Sequence, residues 1–154
     1  MVIAVSSMAY ILAETNTKNP NFNEGKDHHP WVAYGASNTA NSLATIALKE
    51  RYDRIVPLTI GPGMAHDSQL LVNIKADEEL WTERKDVPQT VFVSMQQGVA
   101  PSLLAVLDPS LRDRAGYFFK ECQITEPLLY TSGKNEALKL WELRGKLVGE
   151  KFAG

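Results

Sequence analysis

The stretch VAYGASNTAN, residues 32–41, decides how the rest of this chain is read. It opens a helical pattern. Ala36, Ala40, Leu43, Ala44, Ala47 and Leu48 recur at spacings of three and four, which places them on one stripe of a helix from about Val32 to Arg51. Lys49, Glu50 and Arg51 put charge at its far end. Tyr34 stands in the first turn and Asn38 four residues later, so the two side chains are neighbours on one helix face.

Working outward, Val2–Val5 (VIAV) is a short continuous apolar run, as in a parallel strand buried on both faces, and it ends at Ser6-Ser7. The apolar N-terminus also suits a signal peptide, but it has no positive n-region and the serine pair interrupts it. Residues 14–30 are polar and rich in asparagine, which predicts a long surface loop. After the helix, RIVPLTI (54–60) reads as a second buried strand, stopped by Gly61-Pro62-Gly63. Pro57 inside it is a defect on this reading, since proline lacks the N–H a central strand donates.

Residues 64–95 are ambiguous: LLVNI (70–74) suits strand or helix, and DEELWTERKDVPQ (77–89) is polar and broken by Pro88. QQGVAPSLLAVL (96–107) predicts a packed helix, with Pro101 tolerable only near its first turn. DPSLRDRAG is a turn and YFFKECQI (117–124) a third strand. A last helix is expected from Asn135 to Phe152, with Ser132 as N-cap and Trp141, Leu147, Val148 and Phe152 on its apolar side. Strands alternating with helices argue parallel strands joined by right-handed crossovers. In such sheets chemistry sits beyond the carboxyl ends of the strands, where Ser7 and Gly61-Pro62-Gly63 fall.

The 154 residues suffice for one domain with a core, and 44% hydrophobic against 22% charged residues excludes a disordered chain. A net charge of −2 without a basic run gives no footprint for nucleic acid or an anionic membrane. No apolar run reaches the ~20 residues of a membrane span. The single cysteine, Cys122, excludes an internal disulfide and is expected as a small buried hydrophobe in the last strand. His28-His29 are poor metal candidates, because neighbours in a loop point apart. Ser7, His66 and Asp67 lack the G-x-S-x-G elbow of a hydrolase triad.

The series VSSMAY, YGASN and Pro-Gly after an apolar strand resembles the short-chain dehydrogenase/reductase family, over about residues 1–152. The interval from Ser7 to Tyr34 and the segment DPSLRDRAGYFFKECQI are similar to its retinol-dehydrogenase-like branch, in a fungal-type member. The resemblance implies an α/β fold, the C-terminal half of a Rossmann-like doubly wound parallel sheet. It implies hydride transfer between NAD or NADP and a small lipophilic alcohol or carbonyl substrate, in a cytoplasmic protein. Tyr34 is then the general acid/base and Ser7 the donor that holds the substrate oxygen. Tyr34, Asn38, Pro62 and Gly63 border the nicotinamide end of the cofactor. The helix over Val32–Arg51, which in the family packs across a dimer axis, and the edge of Val2–Val5 are expected surfaces for self-association.

Two departures stand out. Asn38 occupies the place of the family's lysine, whose cation lowers the pKa of a phenol that otherwise titrates near ~10. A neutral amide still hydrogen-bonds a ribose hydroxyl but carries no charge. The family's Gly-rich turn, which seats a pyrophosphate on a helix N-terminus, has no counterpart, since GPGM (61–64) follows the wrong strand. Asp67 stands near the place of a family threonine that touches the cofactor amide. Residues 1–154 are therefore expected to form a partial dehydrogenase domain lacking the dinucleotide-binding half and inactive alone. The alternative is a catalytically dead fragment with at most a binding role.

Overall fold

The structure, a computed structural model, describes residues 1–65, 68, 92–125 and 128–152. The expectations for residues 70–74 and 77–89, and those for His66 and Asp67, lie outside the described residues. Among the described residues, four strands form one sheet: β1 (Val2–Val5), β2 (Pro57–Gly61), β5 (Phe118–Lys120) and β6 (Gln123–Thr125), in that spatial order. β1, β2 and β5 run parallel, with Val5 opposite Ile60 and Ile60 opposite Phe119. A separate parallel pair joins β3 (Met64–Ala65) to β4 (Phe92–Val93). This is the mixed α/β architecture expected of a partial Rossmann-like fold.

The period-2 pattern of β2 splits the core in two. Leu58 and Ile60 face one side, where α2 (Met95–Leu107) covers them together with Phe119, Leu111 and Ala105. Thr59 faces the other side, towards α1 (Pro30–Arg51), and its hydroxyl meets that of Thr45 at 2.8 Å. Phe118 lies on that side too, its ring edge-on to Tyr10 at 5.0 Å. Outside α1 sits α4 (Lys134–Val148), preceded by the single turn α3 (Leu129–Ser132). Ala137 and Leu140 of α4 pack on Leu43 and Ala47 of α1.

Several sequence expectations are corrected here. The segment 117–124 is not one strand but a hairpin, β5–β6, turned at Glu121 and Cys122, both left-handed at φ 53° and 61°. Two consecutive positive-φ residues are the mark of a two-residue hairpin turn, normally signalled by Asn-Gly or Asp-Gly, and this sequence has neither. Cys122 consequently sits exposed in the turn rather than buried in a strand. Pro57 is no defect. It is the first residue of β2, and pairing with the β5 side begins only at Thr59, whose N–H donates to Tyr117 at 3.0 Å.

Pro101 stands deep in α2, which starts at Met95, rather than near its first turn. There it is buried, and the start of the helix is fixed by a capping box between Ser94 and Gln97. The last helix stops at Val148, because Gly149 adopts the left-handed conformation (φ +73°) that ends helices. Its N-cap is Gly133, not Ser132. Leu147 and Val148 are more than 60% exposed, so the buried side is Ala137 and Leu140 with Trp141 and Leu143 packed beside them.

The stripe of α1 also differs. Ala36, Ala40, Ala44 and Leu48 are only half-buried; the buried positions include Asn38, Thr39, Ser42 and Thr45. These small polar residues go inside because each finds a hydrogen-bond partner, as the site shows.

Candidate active site

Ser6 and Ser7 follow β1; Pro62 and Gly63 follow β2. The Ser6 N–H donates to Ile60 at 2.8 Å, so the carboxyl ends of the two strands lie side by side. After Ser7 the chain turns at once into a short 3₁₀ helix, Met8–Leu12. Ser7 is its N-cap: the hydroxyl oxygen accepts from the Ala9 N–H at 3.2 Å. That bond uses a lone pair and leaves the hydroxyl proton for another acceptor.

The helix that carries Tyr34, α1, packs directly on this segment. Gly35 makes that possible. A Cβ there would stand 2.8 Å from the Ala9 carbonyl oxygen and 3.0 Å from the Leu12 Cβ. Hydrogen bonds then hold the contact. The fully buried Thr39 hydroxyl donates to the Ala13 carbonyl at 2.8 Å and also reaches that of Tyr10 at 3.2 Å. Thr15 donates to Ala36 at 2.8 Å. From the strand end, Ser6 Oγ donates to the Asn38 carbonyl at 3.0 Å, and Asn41 Nδ2 donates to the Val5 carbonyl at 3.2 Å. Ser7, Tyr34 and Asn38 are thus carried on segments bonded to one another at one end of the sheet.

Asn38 is 6% exposed, and its Nδ2 donates to the Tyr34 carbonyl at 2.8 Å. This bond commits one amide hydrogen inside the helix. Asn38 keeps its Oδ1, an acceptor, and a second amide hydrogen to offer a ligand. The Tyr34 ring is half-buried and meets Trp31 edge-on at 6.2 Å. Pro62 and Gly63 pack away from α1: a Cβ on Gly98 would lie 3.4 Å from the Pro62 oxygen, and one on Gly63 would lie 3.2 Å from Val93.

A dinucleotide fits these residues only in part. Serine, tyrosine, amide and backbone groups suit the nicotinamide and its ribose. For the pyrophosphate, the described helices of eight or more residues offer no open, glycine-lined N-terminus. α1 begins with Pro30, α2 is filled by its own capping box, and α4 carries Glu136 in its first turn.

His28 packs its ring on Phe22 at 5.7 Å, and His29 is the N-cap of α1 without a side-chain cap bond. Among the described residues no group of three or more His, Cys, Asp or Glu side chains could hold a metal ion. No helix among them is long and apolar enough to cross a membrane.

Sequence reasoning missed Ser6, Gly35, Thr39 and Asn41, the residues that fasten the strand end to the helix. A signal was there: Asn38, Ser42 and Thr45 recur at helical spacing, a polar stripe beside the alanine one.

No protein-family model matches the chain. It is 30% identical over 118 residues to "Short-chain dehydrogenase TIC 32 A, chloroplastic" of Brassica napus, covering 75% of this chain and 36% of that protein. It is 24% identical over 127 residues to the human "WW domain-containing oxidoreductase", covering 82% and 30% respectively. The chain spans about a third of the length of these relatives. In fold it matches a crystal structure of an uncharacterized protein from Mycobacterium paratuberculosis, with a TM-score of 0.60 at 22% identity, over 99% of this chain and 52% of that one. The sequence similarity of this chain is therefore to proteins named short-chain dehydrogenase and oxidoreductase, and its fold is that of about half of a solved α/β chain.

Proposed function

We propose that this chain is the catalytic half of an NAD(P)-dependent short-chain dehydrogenase acting on a small, lipophilic alcohol or carbonyl compound. The observation that carries the reading is the order of groups at one end of the sheet: Ser7 after β1, Tyr34 at the start of the helix packed on it, Pro62-Gly63 after the adjacent β2. In this reading the Ser7 hydroxyl donates to the substrate oxygen, and the Tyr34 phenol gives or takes the proton on that oxygen. The cofactor, when bound, carries the hydride. Asn38 Oδ1 accepts from a ribose hydroxyl, and Pro62 and Gly63 border the nicotinamide.

Among the described residues no helix N-terminus forms an open phosphate cradle, and we expect the chain alone to hold NADPH with a dissociation constant in the millimolar range, on the order of −4 kcal/mol. The test pairs two proteins. Calorimetric titration of NADPH into this chain should give millimolar affinity, with no aldehyde-dependent oxidation of NADPH. A chimera carrying a dehydrogenase N-terminal half should turn over a retinal-like aldehyde, and Tyr34→Phe should abolish that turnover. Micromolar binding by the chain alone would overturn its assignment as a half-site. A chimera whose turnover ignores Tyr34→Phe would overturn the site.

A second reading is favoured by one observation. The Asn38 amide is turned inward onto the Tyr34 carbonyl, in place of a cation. On that basis the chain is a catalytically dead fragment with a binding role, and a correctly folded chimera would bind NADPH without turnover.

A further inference from the structure

We propose that the Tyr10 hydroxyl is a second hydrogen-bonding position of the substrate site, so that the compound bound there carries an acceptor besides the oxygen held by Ser7. The proposal rests on the dehydrogenase reading for the class of substrate and adds a polar group to it. Tyr10 is only 5% exposed. Its backbone is fully engaged: the N–H donates to the Ser7 carbonyl at 3.1 Å, and the carbonyl accepts from the Thr39 and Tyr130 hydroxyls at 3.2 and 3.0 Å. Its own hydroxyl has no hydrogen-bond partner among the described residues. The buried hydroxyls around it behave differently, since those of Ser6, Thr39, Ser42 and Thr45 are all paired within the protein. Most buried polar groups are paired, so a phenol left open at this depth calls for a ligand or a water.

The local fold places this phenol at the site. In a 3₁₀ turn, side chains three residues apart eclipse, and the bond from the Tyr10 N–H to Ser7 closes such a turn. Tyr10 therefore leaves the chain on the side of Ser7, about 6 Å further along the axis. Its ring meets Phe118 edge-on at 5.0 Å. The Phe118 ring in turn lies over Gly61, where a Cβ would stand 3.3 Å from its Cζ. Gly61 ends β2 and leads into Pro62-Gly63, so the Tyr10–Phe118 pair lies at the carboxyl end of the sheet. Burial raises the Tyr10 phenol above its ordinary value, which keeps it a neutral O–H donor and not a second base. A donor beside two aromatic rings suits a neutral oxygen, as in a carbonyl, ether or hydroxyl, on an otherwise apolar skeleton.

Two ketones of one skeleton test this, cyclohexanone and cyclohexane-1,4-dione, each titrated into the chain and followed by NMR. Tyr10→Phe keeps the ring and removes only the hydroxyl. It should weaken the dione by about 5-fold to 10-fold, the yield of one hydrogen bond, and leave cyclohexanone unchanged. Ser7→Ala should weaken both ketones alike, since both place an oxygen there. The urea midpoint of Tyr10→Phe should be no lower than that of the wild type, because no bond within the protein is lost. Tyr130→Phe, which loses its bond to the Tyr10 carbonyl, should lower the midpoint. A lowered midpoint in Tyr10→Phe would show the hydroxyl to be paired within the fold and overturns the proposal. A dione affinity untouched by Tyr10→Phe overturns it in favour of a water on the hydroxyl. Equal losses for both ketones, indifference of both to Ser7→Ala, or no binding of either overturn it as well. The readout is binding and not turnover, so it holds or fails separately from catalysis in the chimera.

Discussion

Gly35→Ala sets two effects of opposite sign against each other, and the structure says which wins. In a helix interior, alanine is favoured over glycine by about 1 kcal/mol. If α1 were a free-standing helix, the substitution would stabilise the protein by that amount. But the new Cβ would stand 2.8 Å from the Ala9 oxygen, 3.0 Å from the Leu12 Cβ and 3.1 Å from the Ala13 nitrogen. Two of these are backbone atoms, which cannot rotate aside. Overpacking of this kind costs ~1–3 kcal/mol, and here the strain falls on a contact already pinned by Thr39 and Thr15. The net expectation is a loss of up to about 2 kcal/mol, read as a lowered urea midpoint at unchanged slope. Ala44→Gly, at a half-buried site on the same helix, calibrates the propensity alone at about 1 kcal/mol. In the chimera, moving the start of α1 off the Ser7 segment should also lower kcat, by on the order of 10²-fold for a displacement of ~1 Å. A Gly35→Ala protein with a raised midpoint and undiminished kcat would refute the claim that this close approach builds the site.

Three further perturbations follow from the same geometry. Thr45 donates to Ser42 at 2.7 Å and faces Thr59 at 2.8 Å, both nearly fully buried, so Thr45→Val strands the Thr59 hydroxyl and should cost ~1–3 kcal/mol. The double variant with Thr59→Val should cost no more than Thr45→Val alone, and additive losses in urea denaturation would argue against the pair. Asn38→Lys in the chimera should raise turnover, because a cation beside a phenol favours phenolate and positioned acid/base catalysis contributes roughly 10²–10⁴-fold. Equal rates would remove the argument that the asparagine disables the site. Hydrogen bonds from the side chain and backbone N–H of Ser110 hold the Asp108 carboxyl below its ordinary range. A folded-state value below the unfolded one stabilises at pH above the usual carboxylate range and is lost as pH falls through the folded value. The urea midpoint of Asp108→Ala should therefore lie below that of the wild type at neutral pH and converge on it in acid; a gap constant with pH would contradict this.

Sequence alone determined the elements whose signals are local. The strand Val2–Val5, the surface loop before Pro30, the helix to Arg51 and the strand ended by Gly61-Pro62-Gly63 were all legible, because burial period and turn chemistry are written in neighbouring residues. The burial expected of Val2–Val5 on both faces was not: β1 ends the described sheet, and Val2 and Val5 are 40% and 57% exposed. The order of Ser7, Tyr34 and Pro62-Gly63 was legible for the same reason. What only the tertiary structure decided depends on partners distant in the chain. The polar stripe of α1 is buried because Ser6, Thr59 and the carbonyls of Tyr10 and Ala13 meet it, and no window around residue 39 contains them. The Glu121-Cys122 turn folds against side-chain preference because Phe118 and Phe119 are both held in the core while Gln123–Thr125 pairs back. Pro57 is harmless because of where β5 begins, which is set sixty residues later. Asn38 could be read in the sequence as the loss of a charge. That its amide turns inward, onto the carbonyl of Tyr34 itself, is a fact of packing: a short side chain buried at that depth satisfies its donor with the nearest acceptor, one helical turn back.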